Sequence, residues 1–187
     1  MVVIMHYLAI ALLVLNFGSF FWSVFGVFTK YPDFDRKNYR LLQLNSLLLY
    51  FSCLYFLVYA NPSSKALVIY NLTLCLCLSG FWYNSKLVKN YQFSIVFSHD
   101  LPKKILKSGL YRFIRHPYYL IYIITYFSTA LITKNIFVLF LSISMLALYY
   151  KAAKFEENKF SLSPLKEEYL DYMKTTGMFL PKLYKKT

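Results

Sequence analysis

Arg115 and His116 stand directly before Pro117, with Tyr118 and Tyr119 behind it and Gly109 and Tyr111 a few positions ahead. Proline at the first position of a helix forfeits no hydrogen bond, so this order marks a helix start immediately after a charged pair. The unsatisfied N–H groups and positive dipole end of such a terminus, with Tyr111, Arg115, His116 and Tyr119 gathered around it, favour an anionic group. A second charged pair, Glu156 and Glu157, closes a later apolar run and uses two of only eight acidic residues in the chain. A helix C-terminus disfavours carboxylates, so a positive partner is expected. Lys151 and Lys154 on the same helix, a bound cation, or the Arg115–His116 end of a neighbouring helix would each serve. An ordinary interfacial role is open to the same residues, with arginine and histidine reaching the head groups and the tyrosines forming an aromatic belt.

The elements that must hold these residues are apolar. Of 187 residues, 58% are hydrophobic and 16% charged, against about a quarter charged in soluble domains, which argues against a soluble fold. Five runs suit helices crossing a hydrocarbon core of about 30 Å: 2–28, 41–60, 66–83, 118–133 and 135–150. The last two are short and read as the arms of a tight hairpin around Lys134. The expected fold is all-α, a polytopic membrane protein of about five transmembrane helices with a C-terminal amphipathic helix. It is read as one membrane domain over 1–187, with three spans in 1–83 and the chemistry in 84–187.

A net charge of +13 suggests nucleic acid until the charges are placed. Lys30, Arg36, Lys37 and Arg40 follow the first run, Lys86 to Arg115 the third, and the rest the fifth; only Lys65 and Lys134 lie in the other loops. That asymmetry predicts the N-terminus outside and the C-terminus cytoplasmic, and it points to the bilayer rather than nucleic acid as partner. The basic tail 182–186 suits an anionic lipid surface. The first run has no basic n-region or small-residue cleavage site and is read as a mature helix. Asn61-Pro62-Ser63-Ser64 and Tyr31-Pro32-Asp33 are turns, and Ser163-Pro164 opens a tail helix that Gly177 and Pro181 end. Cys53, Cys75 and Cys77 fall inside spans and are read as packing residues, with no metal site expected.

In order, Gly109-Leu110-Tyr111, Arg115-His116-Pro117-Tyr118-Tyr119, a two-span hairpin, Glu156-Glu157, Tyr169-Leu170-Asp171-Tyr172 and Pro181 resemble the membrane methyltransferases related to isoprenylcysteine carboxyl methyltransferase and the phospholipid methyltransferases. The resemblance covers about residues 103–182. It implies S-adenosylmethionine as cofactor, with Lys103, Lys104, Ile105, Leu106, Tyr111, His116, Pro117, Tyr118, Tyr119 and Glu156 lining its pocket and Arg115 and Glu157 in catalytic roles. It implies a lipid-like or prenylated acceptor, carboxylate or amine, met at the cytoplasmic face. A carboxylate acceptor needs no base, whereas an amine must lose a proton, to Glu157 or His116.

The pattern has departures. Ala152 stands where prenylcysteine enzymes carry an arginine, Lys103 replaces a leading histidine, with His99 four residues earlier, and Leu165-Lys166 replaces Phe-Gly. Two other readings compete: a sterol-type reductase using NADPH, whose similar segment has Asn where Tyr118 stands, and a non-enzymatic lipid-binding protein.

Overall fold

The computed structural model describes residues 1–29, 33–89, 91, 93–101 and 103–182. The expected turn at Tyr31 and Pro32, Lys30, and the tail from 183 onward lie outside the described residues. Six α-helices occur among them: α1 (Val2–Gly26), α2 (Arg36–Tyr59), α3 (Ser64–Val88), α4 (Pro117–Thr133), α5 (Ile136–Ser161) and α6 (Lys166–Thr175), with a 3₁₀ turn at Gly109–Arg112 before α4. The chain is an integral membrane protein: α1, α2, α3 and α5 are long and apolar enough to cross a bilayer, and α4 is a shorter apolar helix. At 17 residues α4 spans about 25 Å.

Three helices outrun the apolar stretches that announce them. Asp35 caps α2 by accepting from the Asn38 N–H at 3.0 Å, so this helix begins at Arg36 rather than near Leu41. Polar residues carry α3 on to Val88, and α5 continues through Glu156 and Glu157 to Ser161. Hydropathy marks where a helix leaves hydrocarbon, whereas hydrogen bonding and caps decide where it stops. The two glutamates therefore lie inside α5, about a turn before its end, instead of closing it.

α3 packs between α1 and α4, and α5 packs on α4 and α2. Leu13, Leu49, Leu57, Leu74, Phe81, Tyr126, Val138 and Met145 form a fully buried core, while Ile4, Phe21, Phe25, Leu44, Leu76, Leu131 and Phe140 face outward. In a bilayer, apolar contact gives no preference for helix over lipid, so polar bonds between helices contribute to association. Tyr70 of α3 meets Thr129 of α4 at 2.8 Å, Ser85 meets the Tyr118 hydroxyl at 3.0 Å, and Ser144 donates to Asn45 at 2.8 Å. Cys53 and Cys77 are buried and Cys75 is exposed, all as free thiols.

The α4–α5 turn is tight: Lys134 takes the left-handed conformation at φ 51°, and the Asn135 side chain caps α5 by accepting from Phe137 N at 3.0 Å and Val138 N at 3.1 Å. At the opposite end of the bundle, the loops after α1 and α3 pair with each other through Thr29 N to Phe93 O at 2.7 Å and Asp35 N to Phe97 O at 2.9 Å. A side chain in the left-handed region is strained where glycine is not. Lys134→Gly should therefore stabilise the detergent-solubilised protein by about 1 kcal/mol, read as a raised midpoint of unfolding.

Candidate functional site

The charged pair before α4 is built by two turns and a strap. Gly109 sits at φ 59° and lies so close to α3 that an added β-carbon would stand 2.5 Å from a Leu87 methyl. The 3₁₀ turn from that glycine places Tyr111, whose main-chain oxygen accepts the Tyr172 hydroxyl of α6. The chain leaving α6 then runs beside 113–116. Gly177 N donates to Phe113 O at 3.2 Å, Arg115 N to Gly177 O at 2.9 Å, and His116 N to Met178 O at 3.1 Å. The backbone groups just ahead of Pro117 are thereby satisfied, as burial requires.

Held in this way, Arg115 and His116 meet the two glutamates of α5. Arg115 Nε donates to Glu157 Oε1 at 2.8 Å, with both side chains under a tenth exposed, and the guanidinium also donates to Thr176 O. His116 lies between the carboxylates, Nδ1 at 3.3 Å from Glu156 and Nε2 at 3.4 Å from Glu157. The Tyr119 hydroxyl donates to Glu156, and its ring stacks on His116 with centroids 5.5 Å apart. Of the counter-charges open from sequence, the Arg115–His116 end of the neighbouring helix makes the close contacts. Lys154 is a distant third partner of Glu157 at 3.9 Å, and Lys151 bonds Asn38 of α2.

A cavity of about 200 Å³ opens beside this cluster. Its wall includes Lys103, Lys104, Ile105 and Leu106 from the loop, Tyr111, the run Arg115, His116, Pro117, Tyr118 and Tyr119, and Glu156. Residues 68–164, just over half of the chain, match the family model described as phospholipid methyltransferase. The chain belongs to that family. A comparison with curated proteins gave no match. The family is one of integral membrane methyltransferases, and its matched segment runs from α3 through the Arg115–His116 turn and both glutamates to the end of α5. The first two helices and α6 with its strap lie outside the match.

Glu157 does not line the cavity of this phospholipid methyltransferase family member. It sits behind Arg115 and His116, where it neutralises them. The wall also holds residues that the sequence reading did not single out for the site: Phe28, Phe93, Ser94 and Asp100 from the paired loops, and Lys159 and Phe160 beyond Glu156. Lys159 had a legible signal, one helical turn after Glu156 on the same face. The loop residues had none, because long-range backbone pairing brings them in.

Burial alone would push His116 below its ordinary 6.5, but hydrogen bonds and charge from Glu156 and Glu157 outweigh it and raise the value. A carboxylate within reach of each ring nitrogen favours the form in which both donate. A raised folded-state value stabilises the protein fully below about 6.5, and that stabilisation is lost as pH rises through the folded-state value. The melting temperature in detergent should thus fall on the alkaline side, and His116→Gln should flatten that limb of the profile. An equal slope in the variant would assign the fall to another group. Breaking the Arg115 pair is a stronger perturbation. Glu157→Gln should cost about 3 kcal/mol by leaving a buried guanidinium uncompensated, whereas Arg115→Met with Glu157→Leu should cost measurably less.

Proposed function

We propose that this membrane methyltransferase uses S-adenosylmethionine to methylate a lipid-like acceptor in the cavity between α4, α5 and the paired loops. The observation that carries the reading is the His116–Glu156–Tyr119 arrangement on the wall of that cavity, within a chain of the phospholipid methyltransferase family. The donor set suits the cofactor. It offers a carboxylate for ammonium or ribose hydroxyls, aromatic faces for a base and a sulfonium, and lysines for a carboxylate.

Glu156 and Tyr119 hold the polar end of the cofactor, and Tyr111, Tyr118 and the loop 103–106 enclose the rest. S-adenosylmethionine, when bound, supplies a methyl group on a sulfonium that leaves as a neutral thioether. What the chain must do is align the acceptor atom with that methyl group and keep water out. His116 lies between two carboxylates that favour its protonated form and occupy both ring nitrogens. Glu157 faces Arg115 and His116 rather than the cavity. Both therefore position the machinery, and the base role expected of them from sequence is not part of this proposal. Arg115 orders the wall and the strap at once through Glu157 and the Thr176 carbonyl.

The end of the bundle bearing this cavity carries the basic loops, so it is assigned to the cytoplasm, with the N-terminus outside. An acceptor with apolar tails enters from the bilayer, and the cofactor from the water side. Equilibrium binding to the purified protein in detergent tests the cofactor. Saturable S-adenosylmethionine binding is expected, weakened about tenfold or more by Glu156→Gln. Saturable binding of NADPH instead would overturn it. Membranes containing the protein should transfer label from radiolabelled S-adenosylmethionine to a lipid-extractable species, and label found only in water-soluble products would refute the lipid acceptor.

A further inference from the structure

Among the described residues, four buried side-chain polar atoms find no hydrogen-bond partner, and two of them belong to Asn84 of α3. The other two are single oxygens on amides already fixed through nitrogen. Asn16 donates to Leu12 O at 2.9 Å and Leu74 O at 3.1 Å, and Asn71 donates to Met5 O at 3.0 Å. Those amides tie α1 to α3. Asn84, fully buried, makes no such tie. A buried carboxamide with neither end bonded destabilises a fold, and an apolar side chain of similar size in its place does not.

The neighbour of this amide is a cavity residue. The 3₁₀ turn packs on α3, with Gly109 so close that a β-carbon there would lie 2.5 Å from Leu87 and 3.3 Å from the Tyr83 hydroxyl. That contact sets Tyr111, which lines the cavity, beside Asn84. The Tyr111 ring is held by Phe93, centroids 5.7 Å apart, and its main-chain oxygen by the Tyr172 hydroxyl. Burial holds the phenol well above its ordinary value, the Tyr118 phenol adds to that, and the Asn84 amide pulls the other way. A neutral group that favours charge on the phenol oxygen presents N–H to it, and the hydroxyl keeps its own proton to donate elsewhere. Ser85, next along α3, orients the adjacent tyrosine. It donates to Phe81 O at 2.9 Å, so the phenol supplies the proton in its 3.0 Å contact with Tyr118. Consecutive residues of α3 thus fix the proton direction of two tyrosines on one wall.

We infer that Asn84 is a positioning residue of the cavity: its amide N–H holds the Tyr111 oxygen from behind, so that the phenolic proton is aimed at an acceptor atom of the bound cofactor. This rests on the cavity being the S-adenosylmethionine site. Asn84 itself touches no ligand and acts through Tyr111. A donor aimed in advance by a rigid neighbour loses less freedom on binding than a hydroxyl that turns at will. The stability lost by burying the amide is the counterpart of that aim, a local violation of good packing of the kind that functional sites carry.

The test measures S-adenosylhomocysteine affinity and the unfolding midpoint of the purified full chain in neutral detergent. Asn84→Leu should weaken binding about fivefold or more while the midpoint holds or rises. Loss of a merely structural contact would move both down together. Tyr111→Phe should weaken binding to a similar extent. Adding Asn84→Leu to that variant should cost less than about twofold more, because the amide then has no hydroxyl to aim. A lowered midpoint for Asn84→Leu, or full additivity with Tyr111→Phe, would overturn the role. Unchanged affinity in Asn84→Leu beside a wild type that binds would remove this role alone. A wild type that binds no S-adenosylhomocysteine would remove the cofactor reading and this role with it.

Discussion

Glu157 is 5% exposed at its side chain, on a helix that has just left hydrocarbon, and a carboxylate in such a place costs several kcal/mol unless cations meet it. Arg115 and His116 meet it, and most of the local architecture follows from that requirement. Both come from one short segment, so that segment must be pressed against α5. Its backbone groups are then removed from water and need partners of their own. The strap after α6 supplies them, with Gly177 paired to Phe113 and Arg115 and Met178 to His116. A β-carbon at Gly177 would fall 1.6 Å from the Leu180 carbonyl oxygen, so the return of the chain over this turn depends on glycine.

The same ion pair divides labour between two adjacent glutamates. Neighbouring residues on a helix point about 100° apart, so Glu156 and Glu157 cannot serve the same space. Glu157 turns into the protein and fixes the cations. Glu156 turns to the cavity, shares His116 with its neighbour, and keeps a quarter of its side chain open. A rigid stack runs inward from that point, Tyr119 against Tyr149 with centroids 4.8 Å apart. This stack couples the cavity floor to the packing of α4 on α5, whose relative position is set by the tight turn at Lys134.

How much was legible in the sequence follows from the range of the interactions involved. The five apolar helices and the proline-led start of α4 are local patterns, and each is found in the structure, whereas the Glu156–Glu157 pair lies inside α5 rather than closing it. The grouping of Arg115 and His116 with the glutamates was one of several open pairings, because a helix-end lysine satisfies the dipole argument as well as an arginine from the next helix. Helix ends were displaced wherever a cap or a polar extension overrode hydropathy, as at Asp35 and beyond Tyr150. The inward turn of Glu157 and the loop wall bearing Ser94 and Asp100 were not legible. They depend on backbone pairing between residues more than sixty positions apart, such as Thr29 with Phe93, which leaves no periodic trace.

That pairing also gives the N-terminal helices a part in shaping the cavity, although they lie outside the segment that matches the family. Without α1 and α2, the loop 93–101 would keep the packing of Phe97 and His99 on Phe155 but lose its backbone partners Thr29, Asp33 and Asp35. With Thr29, Asp33 and Asp35 anchored between two spans, the loop becomes a wall rather than a flap, and Phe28 adds an apolar face to it. The cavity then has one side made of matched residues on α4 and α5, and another made by the loop after α3, which the loop between α1 and α2 anchors. Changes in that loop can therefore reshape this wall without touching the Arg115–Glu157 pair, which is made between α5 and the turn before α4.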